Sequence, residues 1–295
     1  MESRTESNAE SKHIVLVTCQ RWPNLSRGDA ALADELMVRG HHVVARPWND
    51  APLVEFTSAD LIVLRSNWDF HHDPAGFERW LDAVEASPAE VRNQPDLVRS
   101  FLDKTYISDL AALGFRTPET LVADELDPTI VGAWADGFGF DRIVLKPAWG
   151  ASGHEVQLVD RSDLAEVGAA WRNNPDRRSM LVQEFIPGVS DGEYALVFFA
   201  GNFSHALIRQ PTNGDFRVNS KYGGTMSHVE NVDPSLIEFG GKVEAAFPWP
   251  ATYARIDVVV DGDDYVLMEV EVNEPALGLN LAPGSAARFA DALRA

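Results

Sequence analysis

The chain has 295 residues, 45% hydrophobic and 24% charged, enough for two or three compact lobes with a sizeable core. Its 25 cations against 45 anions give a formal net charge of −20, which repels phosphate backbones and anionic bilayers and so excludes nucleic acid and membrane surfaces as expected partners. A polyanionic ligand would have to be met by locally clustered Lys and Arg, so the placement of the few cations carries information.

Residues 1–12 are polar and lack the apolar segment of a signal peptide, and no later stretch reaches the roughly 18 apolar residues of a membrane span. A disordered start and a cytoplasmic protein are expected. The run His13–Cys19 reads as a buried strand ending in a core thiol, followed by a helix near 29–39 closed by Gly40, a strand 43–46 and a strand 61–65. These alternating elements predict a small Rossmann-like lobe over 13–94. Thr18-Cys-Gln-Arg-Trp-Pro23 stands where a glycine-rich dinucleotide fingerprint would be, which argues against a dinucleotide site there. Trp68 and Asp69 follow a strand end, where substrate contact and packing or capping are both open readings. The pairs His41-His42 and His71-His72, and His154, lack transition-metal spacing and are taken as loop or surface residues.

After Asn93-Gln-Pro95 the pattern predicts one helix over 97–113, short strands 119–123 and 142–146, and a lobe over 95–186. Ile143-Val-Leu-Lys-Pro-Ala-Trp-Gly-Ala-Ser-Gly153 puts Lys146 at a strand end, then Gly150, Ser152 and Gly153 in a loop able to donate backbone N–H groups to phosphate. It is not a Walker loop. From Met180 onward hairpin-connected strands dominate: 181–186, 193–200, 203–209, 253–260 and 265–272, giving a lobe over 187–295. In 181–186 the backbone of Glu184, Phe185 and Ile186 can read an adenine edge, and Glu193 can accept ribose hydroxyls.

The polar segment 208–224 carries Arg209, Arg217 and Lys221 beside Gly223-Gly224, a cluster suited to phosphate oxygens. On Leu267-Met-Glu-Val-Glu-Val-Asn-Glu-Pro275, a period of two places Glu269, Glu271 and Asn273 on one face, with Met268, Val270 and Val272 on a buried opposite face. With Asp257 from the preceding strand, these oxygens form a set that Mg²⁺ prefers; a wet acidic edge strand is the bland alternative.

The order of these motifs resembles the ATP-grasp superfamily, closest to the branch with the ribosomal-protein glutamate ligase and bacterial glutathione synthetase. It is carried by Val182-Gln-Glu-Phe-Ile186, Gly214-Asp-Phe-Arg-Val-Asn219 and Gly223-Gly224, and runs from about Asp103 to Pro275. The resemblance implies an α/β protein in which a Rossmann-like pre-ATP-grasp lobe precedes a two-lobed ATP-grasp domain. It implies that Lys104 and Lys146 hold the α- and β-phosphates, and that Ser152 and Gly153 lie in a phosphate-covering loop. Arg209 would then bind the transferred phosphoryl group, with Arg217, Lys221, Arg255 and Asn219 near phosphates or substrate. Asp257, Glu269 and Glu271 would hold two Mg²⁺ ions. Where the family has Glu-x-Asn, this sequence reads Glu269-Val-Glu271, so a register using Glu271 and Asn273 stays open. Ala195 replaces an arginine frequent in that branch, which leaves the substrate undefined.

The first lobe, with Arg65-Ser-Asn-Trp-Asp69, and Glu274-Pro-Ala-Leu277 look similar to a smaller group that includes the cycloserine-forming cyclo-ligase. The implied activity is ATP-dependent, ADP-forming activation of a carboxylate or ureido group on a small amino-acid-like substrate, followed by attack of a nitrogen nucleophile. Ring closure within one molecule, a peptide-tagging ligase and a non-catalytic ATP sensor are the rival readings, and a homodimer is expected by analogy only.

Overall fold

A computed structural model describes residues 11–174, 178–212 and 214–294. They form two units, one of residues up to Pro95 together with Ala276 onward, the other Asp96–Pro275. Residues 1–10 of the expected disordered start lie outside the described residues, whereas Ser11 is tied down by a hydrogen bond from its hydroxyl to the Gly40 carbonyl (2.7 Å).

In the first unit, β1 (His13–Thr18), α1 (Arg27–Val38), β2 (His42–Pro47), α2 (Val54–Thr57), β3 (Leu61–Leu64), α3 (Pro74–Glu85) and β4 (Glu90–Arg92) alternate, and the strands form a parallel sheet in the order β2-β1-β3-β4. Ile14–Val17 and Leu61–Leu64 are fully buried, as expected of apolar runs covered on both faces. Ser26 starts α1 by accepting from the Asp29 N–H (3.1 Å). Asp29 in turn holds buried Arg65 (2.8 Å) and the Ser66 hydroxyl (2.6 Å). Cys19 is a core thiol whose pKa burial pushes up to about 11. Asp69 is buried and accepts from Trp48 Nε1 (2.8 Å) and Asn49 (3.0 Å), while Trp68 packs edge-on against Trp22. Both residues thus make packing or hydrogen-bond contacts within the first unit. His41 and His71 are also buried rather than superficial, and the His41 ring accepts from the Lys12 N–H (3.2 Å).

The second unit opens with α4 (Pro95–Leu102) and α5 (Tyr106–Ala112). The single helix expected over 97–113 is thus broken. Asp103 accepts from the Thr105 N–H (2.9 Å), and the Lys104 N–H goes to the Ala148 carbonyl (2.8 Å), so local side-chain and long-range partners replace helical ones. Then come β5 (Thr120–Ala123), α6 (Pro128–Phe138), β6 (Arg142–Pro147), β7 (Gln157–Asp160), α7 (Leu164–Asn173) and β8 (Met180–Glu184). Their strands make an antiparallel sheet, β5-β8-β6-β7. α6 and α7 cover it through Val131, Ala135 and Leu164 against Ile143, Leu145 and Val182.

β9 (Glu193–Phe199), β10 (Asn202–Gln210), β11 (Thr225–Val229), α8 (Pro234–Ala245), β12 (Tyr253–Asp261) and β13 (Asp264–Glu271) follow. The strands form a second antiparallel sheet in the order β11-β10-β9-β12-β13. One face buries Leu196, Phe198, Ala254, Ile256 and Val258 against α8 and the α4–α5 segment. Strand alternation then obliges Glu193, Arg209, Arg255 and Asp257 to the opposite face. The last helix, α9 (Ser285–Leu293), belongs to the first unit, where Phe289, Ala290 and Leu293 are fully buried and the Arg65 guanidinium lies 5.5 Å from the Phe289 ring centre.

Candidate active site

A cleft of about 980 Å³, open to solvent, lies within the second unit. Lys104, Lys146, Gly150, Ser152, Gly153, Glu184, Phe185, Ile186, Glu193, Arg209, Arg217, Asn219, Glu269 and Glu271 all line it.

On the β6 side, Lys146 sits one residue from the strand end, and burial, with Lys104 nearby, pulls its pKa down to about 8 against the attraction of Glu269. The chain then enters a loop with Ser152, Gly153 and Glu155 at φ of 55°, 65° and 56°. A Cβ on Gly153 would come within 2.6 Å of the Asn219 side-chain oxygen, so glycine permits the loop to approach the 214–224 segment. Tyr222 closes the same approach by donating from its hydroxyl to the Gly153 carbonyl (3.0 Å). Lys104, presented by the break between α4 and α5, pairs with Glu269.

β8 ends at Glu184, so Phe185 and Ile186 lie beyond it, where the backbone leaves the ladder. The Glu184 carboxylate is gripped in a fork by Arg116 (2.9 and 2.9 Å). Phe185 is flanked by the Arg142 guanidinium, 4.9 Å from its ring centre.

Four neighbouring strands bring the charged residues onto one face. Arg209 on β10 pairs with Glu193 on β9 (2.9 Å) and with Asp257 on β12 (2.6 Å). Opposite Asp257 and Arg255 on β13 stand Glu269 and Glu271. Arg255 is buried beneath them, donating to Asp257 (2.8 Å from Nε and from Nη2) and to Glu271 (2.5 Å). Carboxylate oxygens of Asp257, Glu269 and Glu271 lie within 4.8 Å of one another. Burial alone would raise the Glu269 carboxyl, but Lys104 and Lys146 outweigh it and hold it down at about 2. Burial raises Glu193 to about 7 against Arg209, and raises Glu271 against Arg255. Clustered acids on a half-buried face, all oxygen donors, fit a hard divalent cation, which would relieve a repulsion that Arg255 and Lys104 otherwise counter.

Three placements differ from the strand pattern or fall outside the cleft lining, as do those of buried Asp257 and Arg255. Met268 lines the cleft rather than the core, because a bulge beside Asp257 leaves Leu267 opposite Val258 and Glu269 opposite Asp257, so strict alternation fails at Met268. Asn273 lies past the end of β13; it is buried and is not among the residues lining the cleft. Lys221 is exposed, also outside the lining set, with its ammonium 5.5 Å from the Tyr222 ring centre. Arg217 does line the cleft, but it is engaged locally, bonded to Asp215 (2.7 Å) and stacked 3.5 Å from the Tyr222 ring centre.

Two titratable lining residues stand outside the expected set. Glu274 is buried and pushed up to about 8 by burial and Glu271; its position just past the acidic strand was the available signal. His154 lines the cleft from the loop after Gly153. Tyr106, on α5, anchors β13 by donating to the Val270 carbonyl (3.0 Å) and accepting from its N–H (2.8 Å), and no local pattern marks it.

Residues 104–278 match the family described as prokaryotic glutathione synthetase, ATP-grasp domain, and residues 14–93 match D-cycloserine synthetase DcsG, N-terminal domain. The chain is 29% identical over 268 residues to the cycloserine biosynthesis protein DcsG of Streptomyces lavendulae, covering 83% of this chain and 86% of that one. It is 24% identical over 228 residues to a glutathione synthetase of Synechocystis sp., covering 72% and 65%. The crystal structure of D-cycloserine synthetase DcsG superposes with a TM-score of 0.85 at 24% identity, covering 95% of this chain and 98% of that one.

Proposed function

Because this chain belongs to the ATP-grasp domain family of the prokaryotic glutathione synthetases, which are ATP-dependent, ADP-forming C–N ligases, we propose that it activates a carboxylate or ureido group of a small amino-acid-like substrate. The observation that carries this reading is that Glu269 and Glu271 line one cleft with Lys104, Lys146 and Arg209, while buried Asp257 lies beneath them with a carboxylate oxygen within 4.8 Å of theirs. Binding alone needs no such balance of acids and cations, whereas phosphoryl transfer does, because charge spreads over the transferred oxygens.

In this reading the backbone of 184–186 takes the adenine edge and Glu193 the ribose hydroxyls. Lys104 and Lys146 meet the α- and β-phosphates, while Ser152, Gly153 and Asn219 close over them. Arg209 receives the phosphoryl oxygens as the substrate oxygen attacks the γ-phosphorus and ADP leaves. A nitrogen nucleophile then attacks the activated carbon and phosphate departs. Arg255 holds Asp257 and Glu271 in place, and Arg217 and Lys221 edge the loop that borders the substrate. The family uses Mg²⁺, which neutralises phosphate charge; Asp257, Glu269 and Glu271 would hold it here, as two ions.

Ring closure within one substrate molecule is the second reading, favoured by the match of residues 14–93 to the N-terminal domain of D-cycloserine synthetase. ADP release with Mg²⁺ against a panel of amino acids and ureido amino acids, coupled to product mass, tests both. ADP that forms only with substrate and disappears in Glu271→Ala is expected. A product lighter than one substrate means ring closure, a product joining two substrates means coupling, and absence of ATP binding at millimolar nucleotide overturns the nucleotide assignment.

A further inference from the structure

β13 is the last strand of its sheet, with no further strand beside it among the described residues, so its outer edge has no ladder to pair with. Two groups from α5 and the segment after it fill that role. The Arg116 carbonyl accepts from the Leu267 N–H (2.8 Å), and the Tyr106 hydroxyl donates to the Val270 carbonyl (3.0 Å) while accepting from the Val270 N–H (2.8 Å). Tyr106 and Val270 are both buried, where an unmade hydrogen bond is not replaced by bulk water.

On a regular strand, outward-facing backbone groups recur at every second residue, yet Leu267 and Val270 are three apart. The odd spacing comes from the bulge. Leu267 stands opposite Val258, Glu269 opposite Asp257 and Val270 opposite Ile256, so Met268 is one residue more than the ladder needs, and the two outer bonds bracket it. From the turn at Asp261 and Asp264 the hairpin runs in simple register up to Val258 and Leu267. Continued without the extra residue, that register would set Glu269 opposite Ile256 and Glu271 opposite Ala254. Both acids would then share the face that packs against α8 and would leave the cleft.

We propose that Tyr106 is a positioning residue for the metal site: with the Arg116 carbonyl it pins the bulge at Met268 and so keeps Glu269 and Glu271 on the face of Asp257. The inference rests on the proposed reading that these carboxylates hold Mg²⁺. Lys104, two residues before Tyr106, pairs with Glu269, so one short segment holds both the backbone of β13 and one of its acids. The Tyr106 ring packs on Phe101 (4.8 Å between ring centres), a contact that phenylalanine keeps, so Tyr106→Phe removes the hydroxyl alone.

The test uses the full chain, as wild type and as Tyr106→Phe. Mn²⁺ binding in the presence of a non-hydrolysable ATP analogue is followed by electron paramagnetic resonance, and amide exchange of the ligand-free protein by NMR. Loss of the support behind the metal ligands predicts about tenfold weaker Mn²⁺ binding. Exchange at Val270 should accelerate while the amides of β9 and β12 keep their protection. Unchanged Mn²⁺ affinity overturns the inference. So does exchange that rises equally through β9 and β12, which is what a residue with a general packing role would produce. Should Tyr106→Phe not fold, the wild type decides: Leu267 and Val270 amides as slow as those of β12 are expected, and amides exchanging as freely as those of an unpaired strand edge overturn the inference. A wild type that binds no Mn²⁺ with the analogue, while its Val270 amide is protected, overturns the metal assignment on which the inference rests, a result separable from the others.

Discussion

Arg255 shows how much of the site depends on one buried cation. It is 3% exposed and bridges Asp257 and Glu271, and burial would lower its pKa were it not outweighed by those two acids, which raise it well above the usual guanidinium value. Removing one partner of such a network leaves uncompensated buried charge, which costs about 3–5 kcal/mol. Arg255→Met should therefore lower the urea midpoint sharply, and millimolar Mg²⁺ should restore part of it by taking over the role of the guanidinium. Equal midpoints with and without Mg²⁺ would mean that these carboxylates do not bind the ion. At this scale the acids themselves were legible, because carboxylates at Glu269 and Glu271 stand out on a strand whose alternate residues Val270 and Val272 are buried. Their partners were not: Lys104 and Arg116 stand 165 and 68 residues from the side chains they hold, and no local pattern encodes those distances.

Among elements, the loops are placed by steric necessity. A Cβ on Gly224 would meet the Val218 carbonyl oxygen at 2.2 Å, and Gly223 before it has φ of 87°, so this turn closes only with glycine. Gly224→Ala should displace Asn219 and Tyr222 and with them the contact to Gly153. We expect ADP formation to fall at least tenfold, roughly 1.4 kcal/mol in the barrier, while the thermal midpoint moves little, because the turn adds few apolar contacts to the core. Steady-state kinetics beside a melting curve checks both. The break between α4 and α5 escaped the sequence pattern because apolar periodicity continues through it, from Leu97 and Val98 to Ile107 and Leu110. An Asp103 side chain and the distant Ala148 carbonyl decide the break, and only the second is tertiary. The bulge at Met268 is likewise invisible in a sequence that alternates without a gap.

For the whole molecule, the last twenty residues fold with the first unit, not with the strands that precede them. Phe289 and Leu293 are 0% exposed, and burying side chains of this size contributes about 1.5–3 kcal/mol each. Deleting residues 276–295 should therefore destabilise the first unit by several kcal/mol. Hydrogen exchange checks this: β1, β2 and β3 should lose protection while β9 and β12 keep theirs. Among the described residues no helix is long and apolar enough to cross a membrane. The sequence by itself determined the alternating first unit, the strand-rich second half, the family and most residues that line the cleft. Strand period, apolar runs and motif order are local properties, and each of those conclusions needs only local information. Tertiary structure decided where α9 packs, that Met268 faces the cleft and Asn273 does not, and that Arg116 grips Glu184. These depend on register, bulges and long-range pairing, whose free energies are shared among residues far apart in the chain, so no window of sequence contains them.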